Sequence, residues 1–155
     1  MQYDSIMKDF FELIRWNHWA KNVFVLAPLF FSGDYYDISN VAQALKAFFI
    51  FCLVSSYVYI FNDLLDFEAD SAHNKKRLRP LPSGRISKPM AVLILSIMFI
   101  SACLLLYTLR MPINFIYVVL LYTLINLIYS TGLKHIPVLE LMLVSSGFVL
   151  RLVGG

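Results

Sequence analysis

Asn62, Asp63, Asp66 and Asp70 stand within nine residues of one another. Spacings of three and four place all four side chains on one face if the segment is helical. Carboxylates and an amide are hard oxygen donors, and with no Cys or His among them they favour Mg²⁺ over zinc. Mg²⁺ held by few carboxylates usually shares its shell with substrate phosphates. The candidate chemistry is therefore capture of a diphosphate, with Asp63, Asp66 and Asp70 as catalytic and metal-ligating groups and Asn62 as a further ligand. The other reading is a polar helix end whose acids pair with the basic run that follows. Carboxylates at a helix C-terminus are disfavoured by about 0.3–1 kcal/mol each, so either reading demands a cation.

That basic run holds Lys75, Lys76, Arg77 and Arg79. Arginine grips phosphate oxygens in bidentate fashion. Arg77 and Arg79 are the better candidates, because Arg79-Pro80-Leu81-Pro82-Ser83-Gly84 is a stiff loop able to fix a guanidinium. Lys75, Lys76 and Lys88 are equally explained by the excess of basic residues that flanks membrane spans on one side. Further polar residues lie at or inside apolar runs: Lys21 and Asn22, Tyr129 and Lys134, and Arg151. A charge deep in a span is costly and usually lines a cavity or finds a partner; Glu140 is one candidate for Arg151. His18, His73 and His135 are isolated and read as solvated.

The elements that must position these residues are apolar. The chain is 59% hydrophobic and 15% charged, where a soluble domain is nearer half and a quarter. Crossing about 30 Å of hydrocarbon takes a helix of roughly 20 apolar residues. The pattern predicts an all-α polytopic transmembrane helix bundle, a single transmembrane domain over 1–155. Residues 1–19 form a surface amphipathic helix, with Ile6, Phe10, Leu13 and Ile14 on one face. Five spans follow, at 20–33, 41–61, 90–109, 113–131 and 137–155, the first short and kinked at Pro28. Cys52 and Cys103 sit inside apolar runs and read as small core residues.

Lysine and arginine fall in alternate connections, which puts the N-terminus and the 62–88 and 132–136 segments on the cytoplasmic side. The last span runs into Val153-Gly154-Gly155 with no polar flank, so the expectation is the N-terminal portion of a longer protein. Membrane lipid is the expected surrounding, and no nucleic-acid partner is expected.

The pattern N-D-x-x-D-x-x-x-D from Asn62 to Asp70 resembles the first aspartate-rich motif of the UbiA-type membrane prenyltransferase family, and the Tyr129…Lys134 pair is similar to another family feature. The segments Trp19–Gly33, Lys76–Gly84, Tyr129–His135 and Gly147–Gly155 resemble one branch, the polyprenyl-phosphate phosphoribosyltransferases. The resemblance implies a fold of about nine helices, a second aspartate-rich motif outside these 155 residues, and Mg²⁺ as cofactor. It implies a location in the bacterial inner membrane. It also implies that these residues alone are inactive.

In the branch reading the donor is phosphoribosyl pyrophosphate and the acceptor a polyprenyl phosphate. Asp63, Asp66 and Asp70 hold the metal, Arg77 and Lys21 add donors to the leaving diphosphate, and Lys134, Tyr129 and Arg151 are candidates for the acceptor phosphate. The alternative is the family's ordinary reaction, in which a prenyl diphosphate alkylates an aromatic acceptor of the 4-hydroxybenzoate or quinone-precursor type. A non-enzymatic channel or transporter subunit is the remoter reading; it predicts charges strung along a pore rather than gathered on one helix face.

Overall fold

In the computed structural model, the backbone is described for residues 2–132 and 137–155. Every described element is helical. Asp37 opens the longest helix, α3, which spans Ile38–Leu65; its carboxylate accepts the Ser39 N–H at 2.8 Å, supplying a cap to a donor with no helical partner. At 1.5 Å per residue the 28 residues of α3 extend about 42 Å, beyond the roughly 30 Å of a hydrocarbon layer. The helix therefore outruns the 41–61 span and carries Asn62 and Asp63 on its last turn.

Ser87 caps α5 (Lys88–Thr108) by accepting the Met90 N–H at 3.4 Å, with Pro89 in the first turn, where its missing N–H costs nothing. Next come α6, spanning Ile113–Ser130, and α7, spanning Pro137–Val153. Helices α3, α5 and α6 are each long and apolar enough to cross a bilayer. Leu93, Ile97, Ile100 and Leu104 of α5 and Tyr117, Leu120, Leu124 and Ile128 of α6 point outward at helical spacing. An exterior of that kind suits lipid, and the protein is an integral membrane protein.

The N-terminal segments depart from the sequence-based picture. The first helix, α1, spans Gln2–Leu13 and stops well short of residue 19. It stops because Arg15 takes a left-handed conformation, φ 53 and ψ 47. Its end is also not a surface feature: Leu13 and Ile14 are almost fully buried in the protein, whereas Ile6 and Met7 are exposed. The 20–33 segment is two pieces. A 3₁₀ helix spans Trp16–Leu26, and α2 spans Ala27–Ser32 with Pro28 in its first turn. With about 2 Å of rise per 3₁₀ residue and 1.5 Å per α residue, the two pieces rise about 31 Å in sum.

Three residues per turn also explains the 3₁₀ geometry, since it aligns Trp19, Asn22 and Val25. The Trp19 indole N–H donates to Ser56 Oγ at 3.0 Å, the Asn22 amide donates to Ser55 Oγ at 3.1 Å, and Val25 is buried. Ser55 and Ser56 lie on α3. The segment is thus fastened along the central helix by side chains recurring every third residue.

Helix α3 is central, packing against the 3₁₀ segment, α5 and α6, while α7 packs on α6 and the 3₁₀ segment. Two apolar cores result. One joins Phe51, Val54 and Val58 of α3 to Val25, Ala102, Phe115, Val119 and Tyr122. The other joins Leu13, Ile14, Ile60, Leu81, Ile86, Ala91 and Ile94. This second core seats α1 and the 79–86 loop on the end of α3 that bears the acids.

Arg151 sits in the interior with 5% exposure. It donates from Nε to Asn22 Oδ1 at 2.8 Å, from Nη1 to the Gly147 carbonyl at 2.8 Å, and from Nη2 to the Tyr122 hydroxyl at 3.0 Å. Its guanidinium lies 5.0 Å from the Tyr122 ring centroid, within cation–π range. Among the described residues no carboxylate pairs with it, and the side chain of Glu140, the partner considered from sequence, lies outside them. Gly147 makes the arrangement fit, because a Cβ there would stand 3.2 Å from Arg151 Nη1.

Two outcomes follow from this packing. Replacing Asn22 by leucine orphans the buried Arg151 Nε–H, and the detergent-solubilised protein should lose about 1–3 kcal/mol of stability, read as a lower thermal midpoint. Tyr107→Phe, on an exposed ring, should leave the midpoint where it was. Arg85 ties α1 down by donating from Nη1 to Asp9 and Glu12 and from Nη2 to the Leu78 carbonyl. Arg85→Ala should therefore speed amide hydrogen exchange within Gln2–Leu13 while α3 and α6 keep their protection.

Candidate functional site

The acid-rich stretch is not one straight helix. Helix α3 ends at Leu65, Asp66 takes φ −89 and ψ 5, and a short helix α4 resumes over Phe67–Ala72. The i-to-i−4 backbone bonds continue through the break, from Asp66 N–H to the Asn62 carbonyl and from Asp70 N–H to the Asp66 carbonyl. The four polar residues predicted to share a face divide into two pairs. Asn62 donates from its amide to Asp66 Oδ2 at 3.2 Å. Asp63 and Asp70, two turns apart, point together.

What they point at is Arg79. Its Nη1 lies 3.2 Å from Asp63 Oδ1 and 2.7 Å from Asp70 Oδ2. Arg15 Nη2 also donates to Asp63 Oδ1, and Lys76 Nζ lies 3.3 Å from Asp70 Oδ1. Both carboxylates are nearly sealed, at 3% and 2% exposure. Buried carboxylates without partners would be very costly, and these have three cations.

The loop that delivers Arg79 is built as its sequence suggests. Ile86 N–H bonds the Pro80 carbonyl at 2.9 Å, Ser83 N–H bonds the Arg79 carbonyl at 3.0 Å, and Leu81 is 1% exposed. Gly84 supplies the left-handed turn, φ 77, that a side chain would resist.

Arg15 is the residue that sequence reasoning missed. It falls within residues 1–19, which the sequence predicts as a surface amphipathic helix. Its left-handed backbone, anchored by the buried Leu13 and Ile14, instead turns it onto Asp63. The only signal in the sequence is an arginine directly preceding an interfacial tryptophan.

Of the other predicted residues, Lys21 and Arg77 are exposed. Tyr129 is half-buried in the last turn of α6. Arg151 hydrogen-bonds to none of the residues that contact Asp63 or Asp70. Lys134 lies outside the described residues. His73 takes part in local structure, its Nδ1 accepting the Lys75 N–H at 3.2 Å.

His18 is not solvated as expected. Its Nδ1 is buried without a hydrogen-bond partner, and its ring meets Tyr59 edge-on at 5.2 Å. Burial first, then the charges of Lys21, Arg15 and Arg79, hold its imidazole below the usual range. A cavity of about 260 Å³ beside it is lined by Glu12, Arg15, His18, Asp63 and Arg79 among others. A larger cavity, about 430 Å³, lies among α2, α3 and the turn before α6 and holds none of the predicted site residues.

Among the described residues no three acidic, histidine or cysteine side chains gather into a metal cluster. The pair that does converge still fits the ion the resemblance implies. Mg²⁺ takes one or two protein carboxylates and completes its octahedron with water and substrate phosphates. Asp63 and Asp70 are two such carboxylates, already aimed at one cationic atom.

Comparison with known proteins identifies the family. Residues 23–155 match the model of the UbiA prenyltransferase family. The chain is 36% identical over 155 residues to the decaprenyl-phosphate phosphoribosyltransferase of Mycolicibacterium smegmatis, an alignment covering 97% of this chain and 48% of that protein. It is 35% identical over 148 residues to the protein of the same name from Mycobacterium tuberculosis, covering 92% and 48%. A solved structure of digeranylgeranylglyceryl phosphate synthase superposes with a TM-score of 0.78 at 25% identity, covering 97% of this chain and 53% of that one. The chain spans about half the length of these relatives. The family match over residues 23–155, most of the chain, establishes that it belongs to the UbiA prenyltransferase family.

Proposed function

We propose that the protein of which this chain forms part transfers phosphoribose from phosphoribosyl pyrophosphate to a polyprenyl phosphate. The observation that carries the reading is the convergence of two buried carboxylates on one cationic centre, ringed by Arg15, Lys76 and Arg79. A site of alternating acid and base suits a substrate that is itself a phosphate-rich metal complex. The names of the relatives support phosphoribosyl transfer with a polyprenyl phosphate as acceptor.

Asp63 and Asp70 hold Mg²⁺ in this reading, and the ion supplies charge neutralisation for the departing diphosphate. Arg15 and Arg79 present planar guanidinium donors to the phosphate oxygens, and Lys76 adds a point charge at the rim. Arg77, whose side chain is exposed, is available to the 5-phosphate or the diphosphate. The ribose C1–oxygen bond to diphosphate breaks as the acceptor phosphate oxygen bonds to C1. Most of the rate then comes from fixed charge placed where negative charge develops, in a site largely closed to water. Tyr129, in the last turn of α6, and Lys134 are assigned to the acceptor phosphate. Arg151 leaves that list, because its donors are engaged by Asn22, Gly147 and Tyr122.

The family's name favours a second reading, prenyl transfer from a prenyl diphosphate to an aromatic acceptor. Membranes carrying the full-length protein separate the two. One reaction receives Mg²⁺, labelled phosphoribosyl pyrophosphate and polyprenyl phosphate; the other receives a labelled prenyl diphosphate and 4-hydroxybenzoate. Label should enter lipid in the first. Product only in the second would replace the proposal with the prenyl reading, and product in neither would reject both substrate pairs. Asp63→Asn and Asp70→Asn should each lower the rate by at least about a hundred-fold, whereas Lys88→Gln, over the Phe67 ring, should change it little.

A further inference from the structure

Arg15 reaches Asp63 from a backbone that few non-glycine residues adopt, φ 53 and ψ 47. Such a conformation persists only where its surroundings hold it. The burial of Leu13 and Ile14 keeps the segment against α3. Apolar contact is non-directional, however, and does not choose how a peptide plane is turned. Hydrogen bonds do. The plane that follows Arg15 is held by its carbonyl, which accepts the His18 N–H at 2.8 Å. The plane that precedes it carries the Ile14 carbonyl, and that oxygen accepts a hydrogen bond from the Ser56 hydroxyl at 2.9 Å. The N–H of the same plane donates locally, to the Glu12 carbonyl at 3.2 Å, so Ser56 is its tie to the central helix.

Ser56 is fully buried, and its Oγ accepts the Trp19 indole N–H at 3.0 Å, which leaves its own proton for Ile14. On α3, Ser56, Tyr59 and Asp63 follow one another at spacings of three and four and share a face. Each meets the same incoming residue. Ser56 takes the peptide before Arg15, Tyr59 lies under the guanidinium with its ring centroid 4.8 Å from Cζ, and Asp63 accepts from Nη2. Successive turns of α3 thus set the backbone, the course and the end of one side chain. Among the described residues, Ser56 bonds Trp19 and Ile14 but no charged group, so its effect at the site runs through Arg15.

We infer that Ser56 is a positioning residue: its bond to the Ile14 carbonyl holds the left-handed turn that sets the Arg15 guanidinium in the site. The inference rests on the reading in which that guanidinium serves the leaving diphosphate of phosphoribosyl pyrophosphate.

The test uses the full-length protein in nanodiscs and the variant Ser56→Ala, with Ser55→Ala as its neighbouring control. Ser55 is also buried, but it bonds Asn22 and the Cys52 carbonyl. Modification of Arg15 by phenylglyoxal, read by peptide mass spectrometry, reports the seating of the guanidinium without any substrate. Ser56→Ala should speed it by about threefold or more, and Ser55→Ala should leave it unchanged. The buried Arg151 should stay unmodified in both, which separates loss of this tie from loss of the fold. In the transfer assay Ser56→Ala should lower kcat/KM for phosphoribosyl pyrophosphate by about tenfold without moving KM for the polyprenyl phosphate. Added to Arg15→Gln it should cost nothing further, because the group it positions is gone. Unchanged modification of Arg15 in Ser56→Ala, or a full further loss on top of Arg15→Gln, would overturn the inference. Absence of transfer by the wild type would overturn the proposed reaction instead, and the modification rates would still decide whether Ser56 sets Arg15.

Discussion

Carboxylates at the end of an apolar helix need compensation, and most of the architecture at this end of the molecule supplies it. Asp63 and Asp70 are nearly sealed from water and stand at a helix end already negative from its own carbonyl groups. Three cations come from three places to meet them: Arg15 from beyond α1, Lys76 from the turn after α4, and Arg79 from the loop before α5. The two arginines are presented by apolar packing. Leu13 and Ile14 bury the end of α1, and Leu81 and Ile86 bury the loop, all in one core with Ile60 of α3. Hydrophobic contacts therefore set where the charges lie, and the charges set what the site accepts.

The opposite problem, a cation without an acid, is met in the interior by a different device. Arg151 is surrounded by neutral acceptors, Asn22, Tyr122 and the Gly147 carbonyl, and by aromatic faces. Asn22 in turn bonds Ser55 of α3. This chain of contacts joins α7, α6 and the 3₁₀ segment to the central helix without any ion pair. In an apolar surrounding such bonds fix register between helices, where apolar packing alone discriminates little between one lipid-compatible arrangement and another.

Much of this was legible from residue order. The long apolar runs gave three of the helices within a few residues, because length and hydrophobicity are what a bilayer demands. The acid pattern singled out the two carboxylates that converge, and pairing with the downstream basic run was one of the two forms of compensation it required. Other features were hidden for physical reasons. Spacing alone put Asn62, Asp63, Asp66 and Asp70 on one face, but the break at Asp66 sends Asn62 and Asp66 to each other. The 3₁₀ segment was invisible because its three-residue repeat serves hydrogen bonds to Ser55 and Ser56, not an apolar stripe. Arg15 depends on a single left-handed residue, a conformation no composition announces.

The composition of the second core has a temporal consequence. Leu13 and Ile14 are made well before their partners, which include Ile60, Leu81, Ile86, Ala91 and Ile94. During synthesis the N-terminal helix has no seat until α3 is in place and the start of α5 has emerged. Arg15 and Asp63 likewise cannot neutralise each other until then. Assembly of this end is a late, long-range closure by a segment made before its partners, and until it happens the acidic end of α3 lacks the cover that Arg15 and the second core provide.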